Sequence, residues 1–431
     1  MELDKLIKFN DWWTIKNVKE SLLKKFKRPI FYNIMNYIKN RQIILITGLR
    51  RVGKTTLIYQ LVQDLLDNRV KETSILYFSF DEENADFEDM IKTYNEKILK
   101  KDLDSEKIYI FIDEIQKCRN WQNKIKIYYD LYPNIKFVIS GSASINLSKN
   151  AKETLAGRIF DFILEPLSFK EFLEWKSIKP EFKKLELLNN KMIPYFNDYL
   201  RKGGFPELLN EEDEEKIKNY IKNNVVDQII YKDLPQEFGI KDYELLKTLI
   251  GMIATNPGLI INYDALSRDL KKSKKTIIDY FFYLEYSMLI KLISNYRTNF
   301  LTSSRKMRKA YLKNTSISLI FMDNFYFNKN MEKIVENFAV IETNAINYYR
   351  NKYEIDIILK IKGKIMPIEV KYETPELANI IKFLYEFKLK NIIILTKDIF
   401  EKKKIDNKNL LLIPIWAFSV FKENYLKSSF N

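Results

Sequence analysis

QIILITGLRRVGKTTL, residues 42–57, is the stretch on which the rest of the chain is read. QIILIT is a short apolar run of the kind a buried parallel strand needs. Gly48 follows, then four residues, then Gly53-Lys54-Thr55, and LIYQLVQDLL continues with helical periodicity. A G-x-x-x-x-G-K-[ST] turn between strand and helix can wrap its backbone N–H groups around phosphate oxygens. Gly48, Leu49, Arg50, Arg51, Val52 and Gly53 would form that cradle, with Lys54, Thr55 and Thr56 opening the helix. Lys54 would contact the β- and γ-phosphates of ATP, and Thr55 would ligate Mg²⁺. An ordinary glycine-rich turn is the alternative, and a strand and a helix both in place argue against it.

Four more apolar runs lie downstream: SILYFSF (74–80), KIYIFI (107–112), IKFVIS (135–140) and RIFDFIL (158–164). Helix-length segments separate the first four strands, which predicts β-α-β units and an α/β doubly wound parallel sheet. In IYIFIDEIQ, Asp113 ends a strand where it can hold the Mg²⁺ shell, and Glu114 can polarise the attacking water. A small GTPase would carry D-x-x-G here, and a nucleoside kinase would not need Glu114. The next strand ends in SGSAS (140–144), where Ser142, or Ser140 beside it, could sense the γ-phosphate. Arg158 opens the fifth strand. It could serve as a finger on a neighbouring subunit's γ-phosphate, or it could be a surface ion pair.

Composition narrows the chemistry. The chain has 431 residues, enough for two to four domains. It has no histidine, which removes His triads, His bases and ordinary His/Cys zinc sites. Its single cysteine, Cys118, excludes an intramolecular disulfide and suits a reducing cytoplasm. The start, MELDKLIKFNDWW, has no apolar core of a leader, and the longest apolar run, residues 410–421, is too short to span a membrane and contains Pro414. It reads instead as a core strand followed by a helix. The first forty residues read as helical. The net charge of +15 fits a polyanionic partner.

Past Pro166 the pattern changes to amphipathic helices, broken at Gly203-Gly204 and Pro206. The EEDEE cluster (211–215) reads as a solvated helix start. NYDALSRDLKKSKKTIIDYFFYLEYSMLIKLI (262–293) reads helix, turn, helix, strand. Lys271, Lys272, Lys274 and Lys275 gather at the turn, with Ser273 or Thr276 as the cap. Residues 259–313 hold 12 Lys and Arg against 4 Asp and Glu, a net +8. This predicts a winged helix-turn-helix with lysines on DNA phosphates. A solvated loop on a protein-docking module is the alternative.

YEIDIILKIKGKIMPIEVKY (353–372) reads as a hairpin turning at Lys362-Gly363. A two-residue loop opposes Asp356 to Glu369, and Lys371 falls on the same face. Two acids and a lysine on one face suit a Mg²⁺-dependent nuclease, with Asp356 and Glu369 as oxygen ligands and Lys371 near the attacked phosphate. A plain solvated face is the alternative.

The series GLRRVGKTT, FIDEIQK, SGSAS, LAGRIFDFILEPLSFKEFL and KGGFPEL resembles the archaeal and bacterial AAA+ ATPases of the STAND-related type. The resemblance implies a P-loop ATPase core over 1–165, a helical lid over 166–235 and a winged helix over 236–325. It also implies a restriction-endonuclease-like domain over 326–431. It further implies a homo-oligomer, a hexamer being one candidate, in which Arg158 acts in trans. The last block is similar to the PD-(D/E)XK pattern, with Glu336 where many members keep a further acid. Ile355 stands where that pattern has proline. The expectation is an ATP-hydrolysing protein acting on DNA, without a membrane role. The competing reading is a nucleotide-controlled switch whose later domains only bind partners.

Overall fold

The computed structural model describes residues 1–82, 85–142, 153–296, 307–361, 363–373 and 377–428. Ala143 and Ser144 of the SGSAS run, and Lys362 of the hairpin turn, lie outside the described residues. The chain divides into two compact units, Met1–Glu165 and Pro166–Asn431. Among the described residues no helix is long and apolar enough to cross a membrane.

The first unit is built on five parallel strands: β1 (Ile43–Gly48), β2 (Ile75–Ser79), β3 (Ile108–Asp113), β4 (Ile135–Ser142) and β5 (Ile159–Ile163). Their order is β2-β3-β4-β1-β5, with every pairing parallel. β1 and β2 are buried along their whole length, which is why their sequences run apolar without alternation. All five strands start at one edge, so the loops after β1, β3 and β4 meet at the other.

The first forty residues differ from expectation. They form three short helices, Leu3–Phe9, Trp12–Ile15 and Pro29–Met35, with non-helical chain between. The reason lies in what their side chains do. Asn10 accepts from the Tyr77 N–H at 2.7 Å and donates to the Tyr77 carbonyl at 2.8 Å, as a neighbouring strand would. The indoles of Trp12 and Trp13 both donate to the Ile75 carbonyl. Side chains thus cover the open edge of β2, which would otherwise invite another strand.

In the second unit, helices Phe169–Trp175, Leu185–Lys202 and Glu214–Tyr220 come first. Asp213 caps the last of these, so the acidic cluster is a helix start. Gly203 and Gly204 both sit at positive φ. A Cβ on Gly203 would fall 1.9 Å from Asn314 Oδ1, and one on Gly204 would fall 2.2 Å from the Leu167 carbonyl oxygen. The break there therefore requires glycine twice.

Helices Tyr243–Thr255, Tyr263–Asp269 and Lys274–Tyr286 come next, the last capped by Ser273. A second sheet joins β6 (Leu259–Ile260), β7 (Ile290–Asn295), β8 (Arg308–Leu312), β9 (Asn347–Arg350) and β10 (Glu354–Ile355) in the order β10-β9-β7-β8-β6. It draws strands from both sides of residue 326. A third sheet joins β11 (Ile357–Ile361), β12 (Lys364–Val370), β13 (Asn391–Thr396), β14 (Glu401–Ile405) and β15 (Lys408–Pro414) in the order β11-β12-β13-β15-β14. The 410–421 run is the end of β15 and the start of helix Ile415–Ser428. Asp356 is the single residue between β10 and β11, where the chain leaves one sheet and enters the next.

Lys136, fully buried in β4, donates to the carbonyls of Tyr37, Asn40 and Gln42. It ties the turn after helix Pro29–Met35 to the start of β1. Lys136→Met would leave these carbonyls without their donor, at a cost of roughly 2–4 kcal/mol. The expected result is a lower thermal midpoint for that unit. A variant that melts with wild type would show the tie is not needed.

Candidate functional site

The phosphate-type loop lies at the end of β1. Gly48 is required by close approach: a Cβ there would stand 2.2 Å from the Leu164 carbonyl oxygen. Arg51 and Gly53 adopt positive φ, so the loop coils tightly before helix Lys54–Asp67 begins. Lys54 is buried, and its ammonium donates back to the carbonyls of Gly48 (3.2 Å) and Leu49 (3.0 Å). A cation is thereby held inside a ring of backbone at a helix N-terminus, the electrostatics an anionic phosphate needs.

Asp113, at the end of β3 and 3% exposed, is the neighbouring group. Its Oδ2 accepts from the Thr55 hydroxyl at 2.6 Å and from the Tyr77 hydroxyl at 3.3 Å. Its Oδ1 accepts from the Glu114 N–H at 3.0 Å and from the Ser140 hydroxyl. The hydroxyl of Thr55 and the carboxylate of Asp113 are both hard oxygen donors, as Mg²⁺ prefers, so the residues present fit that ion.

Glu114 sits in the left-handed region at φ 52°, a conformation residues other than glycine seldom adopt. Burial pushes its carboxyl up from the usual range, against the opposing pull of Lys54. Gln116 donates to Glu114 Oε2, and its own carbonyl accepts from the Ser142 N–H at 3.3 Å. Gln116 therefore fixes Glu114 to the end of β4, a positioning role that sequence reading missed. Its place two residues after the strand-end pair was the available signal.

Of the two serines, it is the Ser140 side chain that meets Asp113; Ser142 enters through its backbone. Arg158 lies elsewhere. Its guanidinium forks onto Asp130, at 3.1 and 3.2 Å. Its carbonyl accepts from Ile43 at the start of β1. A strand length, roughly 15–20 Å, separates it from the loop of the same chain.

A second cluster forms in the second unit. The β11–β12 register pairs Ile357 with Ile368 and Ile361 with Lys364, which places Asp356 opposite Glu369. The two interlock: the Asp356 N–H donates to Glu369 Oε2 (3.1 Å), and the Val370 N–H donates to Asp356 Oδ2 (3.0 Å). Lys371 pairs with Glu369 at 3.0 Å. Glu336, from helix Met331–Glu342, accepts from the Tyr311 hydroxyl at 2.5 Å. Lys309 of β8, which sequence reading missed, lies within 3.1 Å of Glu336, 2.8 Å of Glu354 and 3.8 Å of Asp356. Its signal was a lysine on a strand, RKAYL, that is otherwise buried after its first residue.

Burial pushes the Asp356 carboxyl well above the usual range, helped by Glu369 and Glu336 and opposed by Lys309. Burial also raises Glu369, opposed by Lys371. For Lys309, burial opposes the charge, but Glu336, Asp356 and Glu354 outweigh it and hold the ammonium above the ordinary lysine range. The carboxylates offer only oxygen, as a hard divalent ion prefers. Among the described residues, however, no group of three or more acidic or cysteine side chains is gathered closely enough to hold a metal ion as the cluster stands.

The raised carboxyls carry a sign. The folded state binds these protons more tightly than the unfolded chain. The stability they contribute is full at low pH and is lost as pH rises through the folded values. Asp356→Asn should flatten that loss and raise metal-free stability near neutral pH by up to about 1 kcal/mol, read as a higher thermal midpoint. Melting curves across pH with EDTA would check it, and a lower midpoint for the variant would count against buried repulsion.

Comparison with known proteins agrees with the loop's geometry. Residues 40–173 match a family model described as AAA domain, and residues 193–324 match one described as a domain of unknown function (DUF8612). An uncharacterized protein of Haemophilus influenzae is 28% identical, covering 87% of this chain and 94% of its own length. Two uncharacterized proteins of Methanocaldococcus jannaschii are 28% and 30% identical, covering 88% and 66% of this chain and 88% and 64% of their own lengths. A solved RuvB mutant of Thermotoga maritima is 17% identical with a TM-score of 0.28, covering 64% of this chain and 90% of that one, a likeness too low to carry an argument. Over residues 40–173 the chain carries an AAA-type P-loop ATPase domain, and the loop at residues 48–55 lies within that match.

Proposed function

We propose that the protein hydrolyses ATP with Mg²⁺ and acts on DNA, and that its second unit carries a nuclease-like carboxylate site. One observation carries the hydrolytic part. Glu114 is held in a strained conformation beside Asp113, which is itself bonded to Thr55 at the start of the loop helix.

Each residue has a distinct task. Lys54 exchanges the carbonyls of Gly48 and Leu49 for phosphate oxygens. Thr55 and Asp113 would hold Mg²⁺, and the ion would supply positive charge against the phosphates. Ser140 and Tyr77 keep Asp113 oriented. Glu114, its carboxyl raised by burial, accepts a proton from the attacking water, and Gln116 keeps it aimed. In an oligomer, Arg158 would leave Asp130 to serve a neighbouring subunit.

The DNA part is supported by the net +8 of residues 259–313 and by the element order, helix Tyr243–Thr255, β6, two helices, β7, β8. A second reading has its own observation. Ile278 and Phe282 stand 42% and 49% exposed, one turn apart on helix Lys274–Tyr286, the helix expected in the groove. Lys272 and Lys274 at its start are paired with Asp242 and Asp264. An apolar outer face and neutralised lysines favour a docking module in a nucleotide-controlled switch.

Glu114→Gln should retain nucleotide binding and lose turnover by about 100-fold or more, whereas Lys54→Ala should lose binding itself. Nucleotide titration alongside phosphate release separates them, and full turnover in Glu114→Gln would remove it as the base. Duplex DNA binding measured across salt decides between the two readings. A DNA-acting protein loses affinity with a log–log slope near −0.9 per phosphate contact, and the fourfold neutralisation of Lys271, Lys272, Lys274 and Lys275 should flatten it. No binding at low salt would favour the switch.

A further inference from the structure

Lys309 has no part in the activities proposed above. It projects from β8 of the second sheet into acids supplied by helix Met331–Glu342 and by the chain between β10 and β11. It is 4% exposed, and its ammonium also lies 5.3 Å from the centre of the Tyr348 ring. Glu336 and Asp356 thus converge on an ammonium at nitrogen–oxygen separations of 3.1 and 3.8 Å. A magnesium ion demands oxygens near 2.0–2.1 Å. As the cluster stands the two acids are ion-paired to Lys309, in keeping with the lack of a gathered metal-ligand group among the described residues.

The geometry points to Lys309 as the resident cation of this cluster, one that a divalent metal ion must displace from Glu336 and Asp356 in order to bind. The inference rests on the nuclease-like reading of the same site. Two positive charges cannot share this space, since at such separations their repulsion in a buried setting exceeds thermal energy severalfold. Lys309 also has somewhere to go. Glu354 lies 2.8 Å away and is 39% exposed, against 16% for Glu336 and 11% for Asp356. Turning outward onto Glu354 keeps the ammonium paired while it vacates the inner acids. Lys371, paired with Glu369, is the cation that the nuclease-like reading already keeps beside the attacked phosphate. The consequence is a site that is neutralised and inert until metal, or a phosphate-bearing partner that brings metal, shifts one side chain.

The test is Mn²⁺ titration of the full chain without nucleotide, by calorimetry or by the loss of free-Mn²⁺ resonance. The quantity read is the binding that Asp356→Asn abolishes, which separates this site from Thr55 and Asp113. Lys309→Met should bind Mn²⁺ at least about tenfold more tightly than wild type. Glu354→Gln removes the outward partner, holds Lys309 inward and should bind several-fold more weakly; it stands as the test if Lys309→Met does not fold. Equal or weaker binding in folded Lys309→Met overturns the displacement, as does unchanged or tighter binding in Glu354→Gln. If wild type binds and the variants fail in this way, the metal site survives and only the role of Lys309 falls. If neither wild type nor the folded variants bind, both fall together.

Discussion

The carboxylate of Asp113 is the point on which the first unit turns. A buried charge is tolerated only when its lone pairs are filled, and here four donors fill them. They come from the helix after β1, from β2, from the residue after β3, and from β4. Satisfying one side chain therefore registers the ends of several elements against one another. It also fixes Thr55 and Glu114 relative to the loop. Order at the edge that carries the loop and burial of a charge are one requirement, met by one set of hydrogen bonds.

The second unit handles buried charge differently. Glu336 and Asp356 are answered by the ammonium of Lys309 from β8, and Glu369 by that of Lys371 just past the end of its own strand, rather than by hydroxyls and backbone alone. Such an arrangement is costly to break and contributes little net stability while intact. Apolar packing would hold these elements together at least as well. Retaining carboxylates at a junction of two sheets makes sense where their charge is used.

Features governed by short-range rules were legible in the sequence. β1 to β4 were visible because strands buried on both faces are nearly continuous apolar runs, whereas β5, at the sheet edge, is only partly buried. The Asp356–Glu369 pairing came from a two-residue turn, since register across a tight hairpin is arithmetic. Ser273 and the glycine pair at 203–204 came from local backbone demands. The features that escaped notice depend on distance along the chain. Lys309 meets Asp356 from β8, and Gln116 reaches Ser142 at the end of the neighbouring strand β4. β9 joins β7 in parallel, a pairing that periodicity does not encode. The opening segment read as helix because its apolar spacing is helical, yet Asn10, Trp12 and Trp13 are committed to β2. Ser142 was the first candidate and Ser140 the second; the two share a face of β4, and it is Ser140, one pleat earlier, whose hydroxyl meets Asp113.

The covering of β2 bears on how the chain reaches this structure. Asn10 and Tyr77 are 67 residues apart, and the two indoles bridge similar separations. Contacts so distant in sequence close late, after more local pieces have formed. During synthesis the opening segment emerges long before its strand does, and has nothing to bind. Until it docks, β2 presents a bare row of backbone donors and acceptors at the rim of a growing parallel sheet. That interval is when two nascent chains at high local concentration can join edge to edge. The same three side chains that finish the folded sheet thus close that interval, and all three lie within the first thirteen residues.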